Sequence, residues 1–182
     1  DWTEEPFKIP DEVYSAWDAK ESGIRREEIW NQLFEDYSSE NPSLASELKR
    51  AISGELPVGV EDIIYSFIQE TQKELPKQAT RTSSQKVLNV LGPVIPELMG
   101  GSADLTGSNN TNWDGTKPIK HGDFSGNYIN YGVREFGMTG VMNGLVLHGG
   151  IKPYGGTFLT FLDYARNAVR MAALMKIQTI LV

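Results

Sequence analysis

The chain has 182 residues, of which 40% are hydrophobic and 23% charged, with no cysteine, two histidines and a net charge of −7. Absence of cysteine excludes a disulfide framework, thiolate zinc and a cysteine nucleophile, and fits a reducing, cytoplasmic setting. Two histidines exclude a multi-His metal centre, no apolar run approaches the roughly 20 residues that span a bilayer, and the Asp1 start shows no basic, apolar leader pattern.

Residues 1–76 hold 18 acidic and 7 basic side chains and 3 glycines, whereas 77–182 hold 6 acidic, 10 basic and 15 glycines. Two differently built pieces therefore meet near Pro76. The first reads as helices broken by turn signals. Pro10-Asp11-Glu12 suits a helix start, with Val13, Trp17 and Tyr14 on its apolar face and Gly23 at its end. Ile24 to Tyr37 follows, with Ile29, Trp30, Leu33 and Phe34 at helical spacing. Asn41-Pro42-Ser43 opens a third helix through Leu44, Leu48 and Ile52, closed by Gly54. Val60 to Leu75 is a fourth, with Ile63, Ile64, Phe67 and Ile68 inward. The acid excess reads as a solvated face and argues against nucleic-acid binding, which needs clustered Lys and Arg.

The second piece alternates helix and strand. Thr82 and Gln85 form a capping box, and Val87, Val90, Leu91 and Val94 give the following helix one apolar face. A short strand, Glu97 to Ser102, precedes a loop over 106–126 rich in Gly, Asn, Ser and Thr. Tyr128 to Tyr131 is a strand, Arg134 to His148 a helix, Pro153 to Thr157 a strand, and Phe158 to Met175 an amphipathic helix. Ile177 to Val182 is a β-branched run typical of a buried parallel strand. Alternation with short connections predicts an α/β fold with a parallel sheet flanked by helices. Parallel sheets carry binding residues on loops after the carboxyl ends of their strands, and the chain stops at such an end, so it reads as a truncated piece of a longer protein.

Four constellations could carry chemistry. The Gly100–Asn110 loop is dense in small polar groups whose N–H and hydroxyls can approach an anion, although such loops are commonly plain turns. Glu135 opens a helix, either as an ordinary first-turn acid or as a carboxylate aimed at a ligand nitrogen. Phe158, Phe161 and Tyr164 repeat every three residues, as core or as a stacking wall for an aromatic ring. Arg81 precedes the capped start at Thr82, as a surface residue or as a bidentate grip on phosphate. His148 ends a helix and is structural, and His121 lies in the loop without an assignable role.

Three strings then identify a family. Gly100-Gly101-Ser102-Ala103-Asp104-Leu105-Thr106-Gly107-Ser108-Asn109, Tyr131-Gly132-Val133-Arg134-Glu135-Phe136-Gly137-Met138 and Pro153-Tyr154-Gly155-Gly156-Thr157-Phe158 resemble the pyrimidine-binding domain of transketolases over about residues 80–182. The helical stretch from Phe7 to Leu75 is similar to the connection preceding that domain. Gly107 stands where proline is common and Asn110 where leucine is common, which bears on local loop shape. The organisation expected is an acidic helical linker with the end of a preceding domain over 1–76, then a truncated pyrimidine-binding domain over 77–182.

The resemblance implies transfer of a two-carbon ketol unit from a ketose phosphate to an aldose phosphate with thiamine diphosphate, in the pentose phosphate pathway. It implies that Glu135 is catalytic, hydrogen-bonding the aminopyrimidine ring and favouring the tautomer whose exocyclic nitrogen acts as base. It makes Phe161, Phe158, Tyr164 and Asp104 cofactor-binding residues, and Arg81 and Ser108 ligands of the sugar phosphate. The diphosphate and its divalent metal (Mg or Ca) would be bound by a domain outside this chain, in a homodimer with its site at the subunit interface. The chain alone is then expected to be inactive. Rival readings are a dihydroxyacetone synthase, a deoxyxylulose phosphate synthase, or a non-catalytic module that kept the fold; Arg81 with Ser108 favours a phosphosugar, and Glu135 with its aromatics argues against the module.

Overall fold

Asp11 and Glu12 begin the first helix, as acids in a first turn should, and the chain then builds eight α-helices, one 3-10 helix and four strands among the described residues, 2–182, of a computed structural model. The backbone divides into two units, up to Glu47 and from Leu48 onward. In the first lie α1 (Asp11–Trp17) and α2 (Lys20–Glu40), and α3 (Pro42–Ser53) begins there with proline in its first turn. Gly23 does not end a helix. It lies in the first turn of α2, its N–H bonded to Ala19 O, while α1 stops at Trp17, where Asp18 turns extended. Of the described residues up to Glu47, only Ala45 is buried.

The second unit contains α4 (Val60–Glu74), α5 (Thr80–Leu91), β1 (Leu98–Ser102), α6 (Thr106–Asn109), β2 (Tyr128–Asn130), α7 (Glu135–His148), β3 (Lys152–Gly155), α8 (Arg166–Met175) and β4 (Ile180–Leu181). The strands pair in the order β2-β1-β3-β4, all parallel, with Gly100 opposite Tyr128, Leu98 opposite Lys152 and Tyr154 opposite Ile180. The expected parallel sheet flanked by helices is therefore present. Adjacent strand residues point to opposite faces, and the sheet uses both. On one face Leu98 and Tyr154 join Val60, Leu88 and Ile95, with Ile64, Leu91, Val94 and Trp113 packed around them. On the other, Ala103, Met138 and Met142 meet Tyr131 and Leu181. Gly155 lies so close to the sulfurs of Met138 and Met142 that any side chain there would collide with them.

Several local expectations yield to packing. Ile63 and Ile68 are exposed, and α4 turns Val60 and Ile64 inward instead. Helix α5 starts two residues before Thr82, so the capping box does not form; Gln85 reaches forward and donates to Asn112 O (3.0 Å). Val87 is exposed and Leu88 takes the core position. The stretch from 158 to 175 is not one helix: a 3-10 helix over Leu159–Ala165 precedes α8. Arg50 donates to both carboxylate oxygens of Glu97 (2.8 and 3.0 Å) and to Glu55 O, fixing the end of α3 to the entry of β1. Those hydrogen bonds hold the Glu97 carboxyl below the usual range, against the opposing effect of its burial.

Candidate active site

Because the four strands are parallel, their carboxyl ends share one edge, where ligands gather in such sheets. β1 runs out there into Ala103-Asp104, β2 into the turn that opens α7, and β3 into Gly156-Thr157-Phe158. Glu135 is the first residue of α7 and only 8% exposed. Its side chain has no hydrogen-bond or ion-pair partner among the described residues. Arg134 does not neutralise it, since its guanidinium turns back to Tyr131 O (2.9 Å). The positive end of the helix is the nearest compensation for that carboxylate. Glu135 lines a cleft of about 380 Å³ together with Val133, Phe161 and Tyr164.

The aromatic wall follows from the 3-10 geometry. With three residues per turn, side chains at i and i+3 eclipse, so Phe161 and Tyr164 line up within the 3-10 helix, and Phe158, the extended residue just before it, continues the row. Ring centroids are 5.6 Å apart for the first pair and 6.2 Å for the second. Phe161 is half-buried, while Phe158 and Tyr164 are exposed. A period of three in aromatics was the sequence signal for this helix type, and an α-helical reading missed it.

A planar heteroaromatic ring carrying ring-nitrogen and amino groups fits this cleft. Its faces suit the aromatic wall and its polar edge suits the unpartnered carboxylate. The Thr157 hydroxyl follows β3 at the same sheet edge, outside the cleft lining, and is buried without a partner among the described residues. Nearby, Tyr131 packs on the Ala103, Met138 and Met142 core, and burial pushes its phenol up to about 12, so it stays neutral at physiological pH. No cluster of three or more His, Asp or Glu suited to a metal occurs among the described residues.

The remaining predicted residues stand apart from this cleft. Asp104 follows β1 in a left-handed conformation (φ 64°) and is exposed. Ser108 is exposed on α6. Arg81 is exposed in the first turn of α5 rather than before it. No hydrogen bond joins Arg81 to Ser108 among the described residues. Both belong to segments tied together nearby, since Asn89 Oδ1 accepts from Asp114 N (2.9 Å), alongside the Gln85 contact. His148 is exposed at the end of α7, with Nδ1 3.0 Å from Gly149 O, and His121 is exposed in the loop. Sequence reasoning missed Thr111, Tyr128 and Tyr154, whose hydroxyls form a buried network beneath the Asp104–Asn110 segment. No helix among the described residues is long and apolar enough to cross a membrane.

Comparison with known proteins bears on the same residues. The family model described as the pyrimidine binding domain of transketolase matches residues 76–182, and that described as the thiamine diphosphate binding domain of transketolase matches residues 1–57. The chain is 54% identical over 179 residues to transketolase 2 of Vibrio parahaemolyticus, covering 98% of this chain and 27% of that protein. Among solved structures, a Pichia stipitis transketolase variant in complex with fructose 6-phosphate aligns with TM-score 0.80 and 38% identity, covering 98% of this chain and 27% of that one. Transketolase from Leishmania mexicana aligns with TM-score 0.81 and 34% identity, covering 98% and 26%. The chain therefore spans about a quarter of the length of the relatives it matches.

Proposed function

Since the chain belongs to the transketolase family, matching its pyrimidine binding domain and part of its thiamine diphosphate binding domain, we propose that it carries the pyrimidine-side half of a ketol-transferase active site. The reaction is movement of a two-carbon ketol unit from a ketose phosphate to an aldose phosphate, in the pentose phosphate pathway and in the cytoplasm. Residues 1–76 are the end of a preceding domain and a helical linker, and 77–182 are part of the pyrimidine-binding domain. The observation that carries this reading is the Glu135 carboxylate, 8% exposed, unpartnered and opening into an aromatic-walled cleft. Its oxygens open into the cleft with no protein donor on them among the described residues, so their lone pairs are available to a donor on a bound ring.

In this reading Glu135 accepts a hydrogen bond from the protonated ring nitrogen of the aminopyrimidine, and by fixing that proton favours the basic form of the exocyclic nitrogen. Phe161 packs on the ring face, with Phe158 and Tyr164 completing the wall, and Asp104 lies near the cofactor. Arg81 and Ser108 hold the sugar's terminal phosphate. When bound, thiamine diphosphate supplies a nucleophilic carbon and an electron sink for cleavage of the C–C bond. A divalent cation, Mg or Ca, and the diphosphate are held by protein outside this chain, in a homodimer.

The test is Glu135→Gln in the full-length protein. Shape is kept and the proton-fixing carboxylate is lost, so hydrogen–deuterium exchange at C2 of the bound cofactor should slow by about 10²–10⁴-fold, the usual weight of a general acid–base group. Cofactor should still bind. Wild-type exchange in a folded, cofactor-loaded variant would reduce Glu135 to a first-turn acid.

A further inference from the structure

The segment between β1 and β2 that bears Asp104 and Ser108 is held within itself by one backbone turn: Ser108 N and Asn109 N donate to Leu105 O (3.0 and 2.8 Å), and Thr111 N reaches Thr106 O (3.4 Å). α6 is four residues long, too short to be stable by its intrahelical bonds. It hangs between two left-handed residues, Asp104 (φ 64°) and Asn110 (φ 54°), of the short polar types that tolerate this region. Ser108 itself is exposed and its hydroxyl has no partner among the described residues. One such turn orders the backbone only locally, and side-chain contacts from below add to what sets the position of Ser108.

The group below is Tyr128. It is the first residue of β2 and 2% exposed, and its phenol oxygen lies 2.8 Å from Thr106 Oγ1 and 2.7 Å from Thr111 Oγ1. Those threonines flank Ser108, one opening α6 and the other just past its end. A phenol has one proton and can accept as well, so between two hydroxyls it donates to one and accepts from the other. Supporting ties surround it. Ser102 Oγ accepts from Leu105 N (2.9 Å) and donates to Gly156 O (3.2 Å), and Tyr154 Oη donates to Thr111 O (2.8 Å). We propose that Tyr128 is a positioning residue for substrate recognition: its hydroxyl clamps Thr106 to Thr111 and thereby presets Ser108 for the phosphate of a phosphorylated sugar. The inference rests on the reading of Ser108 as a phosphate ligand. Arg81 stands outside the clamp, because α5 reaches the neighbouring segment through Gln85 and Asn89 instead.

The experiment compares Tyr128→Phe, Ser108→Ala and the double variant in the full-length protein, with an aldose phosphate and the same aldose without phosphate as acceptors. Tyr128→Phe should raise KM for the phosphorylated acceptor about 5- to 10-fold, the order of one net hydrogen bond. Its kcat and its KM for the unphosphorylated aldose should stay near wild type. Amide exchange over residues 104–111 should quicken, and the double variant should lose no more than Ser108→Ala alone, since the two act through one contact. A selective Ser108→Ala effect beside a silent Tyr128→Phe, or an equal KM rise for both acceptors, overturns the clamp. A Ser108→Ala variant without selectivity overturns the phosphate reading instead, and unchanged amide exchange in Tyr128→Phe then overturns the clamp as well. Should Tyr128→Phe fold poorly, Thr106→Val removes one end of the clamp from a less buried position and is held to the same outcomes.

Discussion

Leu33 and Leu88 both sit on helices of this chain, yet Leu33 is 59% exposed and Leu88 is 7% exposed. The contrast extends to their regions. Up to Glu47, α2 forms a 21-residue helix with Ile24, Ile29, Trp30 and Leu33 in solvent. Its aromatics contact one another along the helix, Trp30 with Phe34 at 5.9 Å and Phe34 with Tyr37 at 6.4 Å. From Leu48 onward, helices of similar character close over both faces of a sheet. The lesson is that helix formation and burial are separate events. Backbone hydrogen bonds and i,i+4 pairs suffice for the first, while the second needs a partner surface, which the sheet provides from Leu48 onward.

Paired substitutions sharpen this comparison. The largest effect is expected at Arg50→Leu, which strands the Glu97 carboxylate, 4% exposed, without its cation. The pair is part-buried and Lys152 also acts on the same carboxylate, so losing its charged hydrogen bonds costs about 2–3 kcal/mol. Its counterpart in the first region is Glu4→Gln, which removes a surface contact to Lys8 (3.4 Å) and should cost only a few tenths of a kcal/mol. Urea unfolding of both variants measures the difference, and equal losses would break the comparison. The Glu97 pair also predicts a pH dependence. Its carboxyl is lowered in the folded state, so the unfolded chain takes up protons first as pH falls. The stability is complete above the ordinary glutamate value of about 4.3 and is lost as pH drops through the lower folded value. Glu97→Gln should flatten that acid limb in unfolding curves taken from pH 6 to 3.

Two glycines come next. Gly100→Ala would push a methyl into Tyr154 and Tyr128, which lie against the strand, and overpacking of this kind costs about 1–3 kcal/mol. Gly23→Ala meets open space inside α2 and should stabilise by roughly 0.5–1 kcal/mol. Opposite signs in thermal unfolding are the expected outcome. The smallest effect is Leu33→Ala, within about 0.5 kcal/mol as a surface substitution. A loss of several kcal/mol, measured on this chain, would mean that the α2 face is packed against something in solution.

Much of the architecture is legible in residue order alone. The strands at Leu98–Ser102, Tyr128–Asn130 and Lys152–Gly155, and the helix opening at Glu135, fall within a residue or two of where periodicity places them. Glu135 and Phe161 are also named by pattern, and the structure brings them to one cleft. Alternation of strand and helix with short connections carries the expected parallel sheet, because parallel neighbours need a crossover between them. Gly23 failed on a local bond, to Ala19 O, but several other residues that failed the reading have their decisive partner far away in sequence. Gln85 looks like a capping residue until Asn112 O, 27 positions on, takes its amide. Val87 and Leu88 are equivalent until Tyr154 and Val60 choose the core side. Phe158 to Tyr164 can wind as either helix type, and the packing of this segment against α7 accompanies the tighter one.

What the sequence by itself determined is therefore most of the elements (not α6, nor the 3-10 helix before α8), the acidic first region and the residue types at the carboxyl edge, because these depend on neighbours within a few positions. The tertiary structure alone decided which faces are buried, that Glu135 keeps an unpartnered carboxylate, and that Tyr128 lies between Thr106 and Thr111, 22 and 17 positions away. Such pairings depend on strand register and on how close Gly100 and Gly155 let side chains approach the sheet, and a linear pattern of residues does not encode those distances.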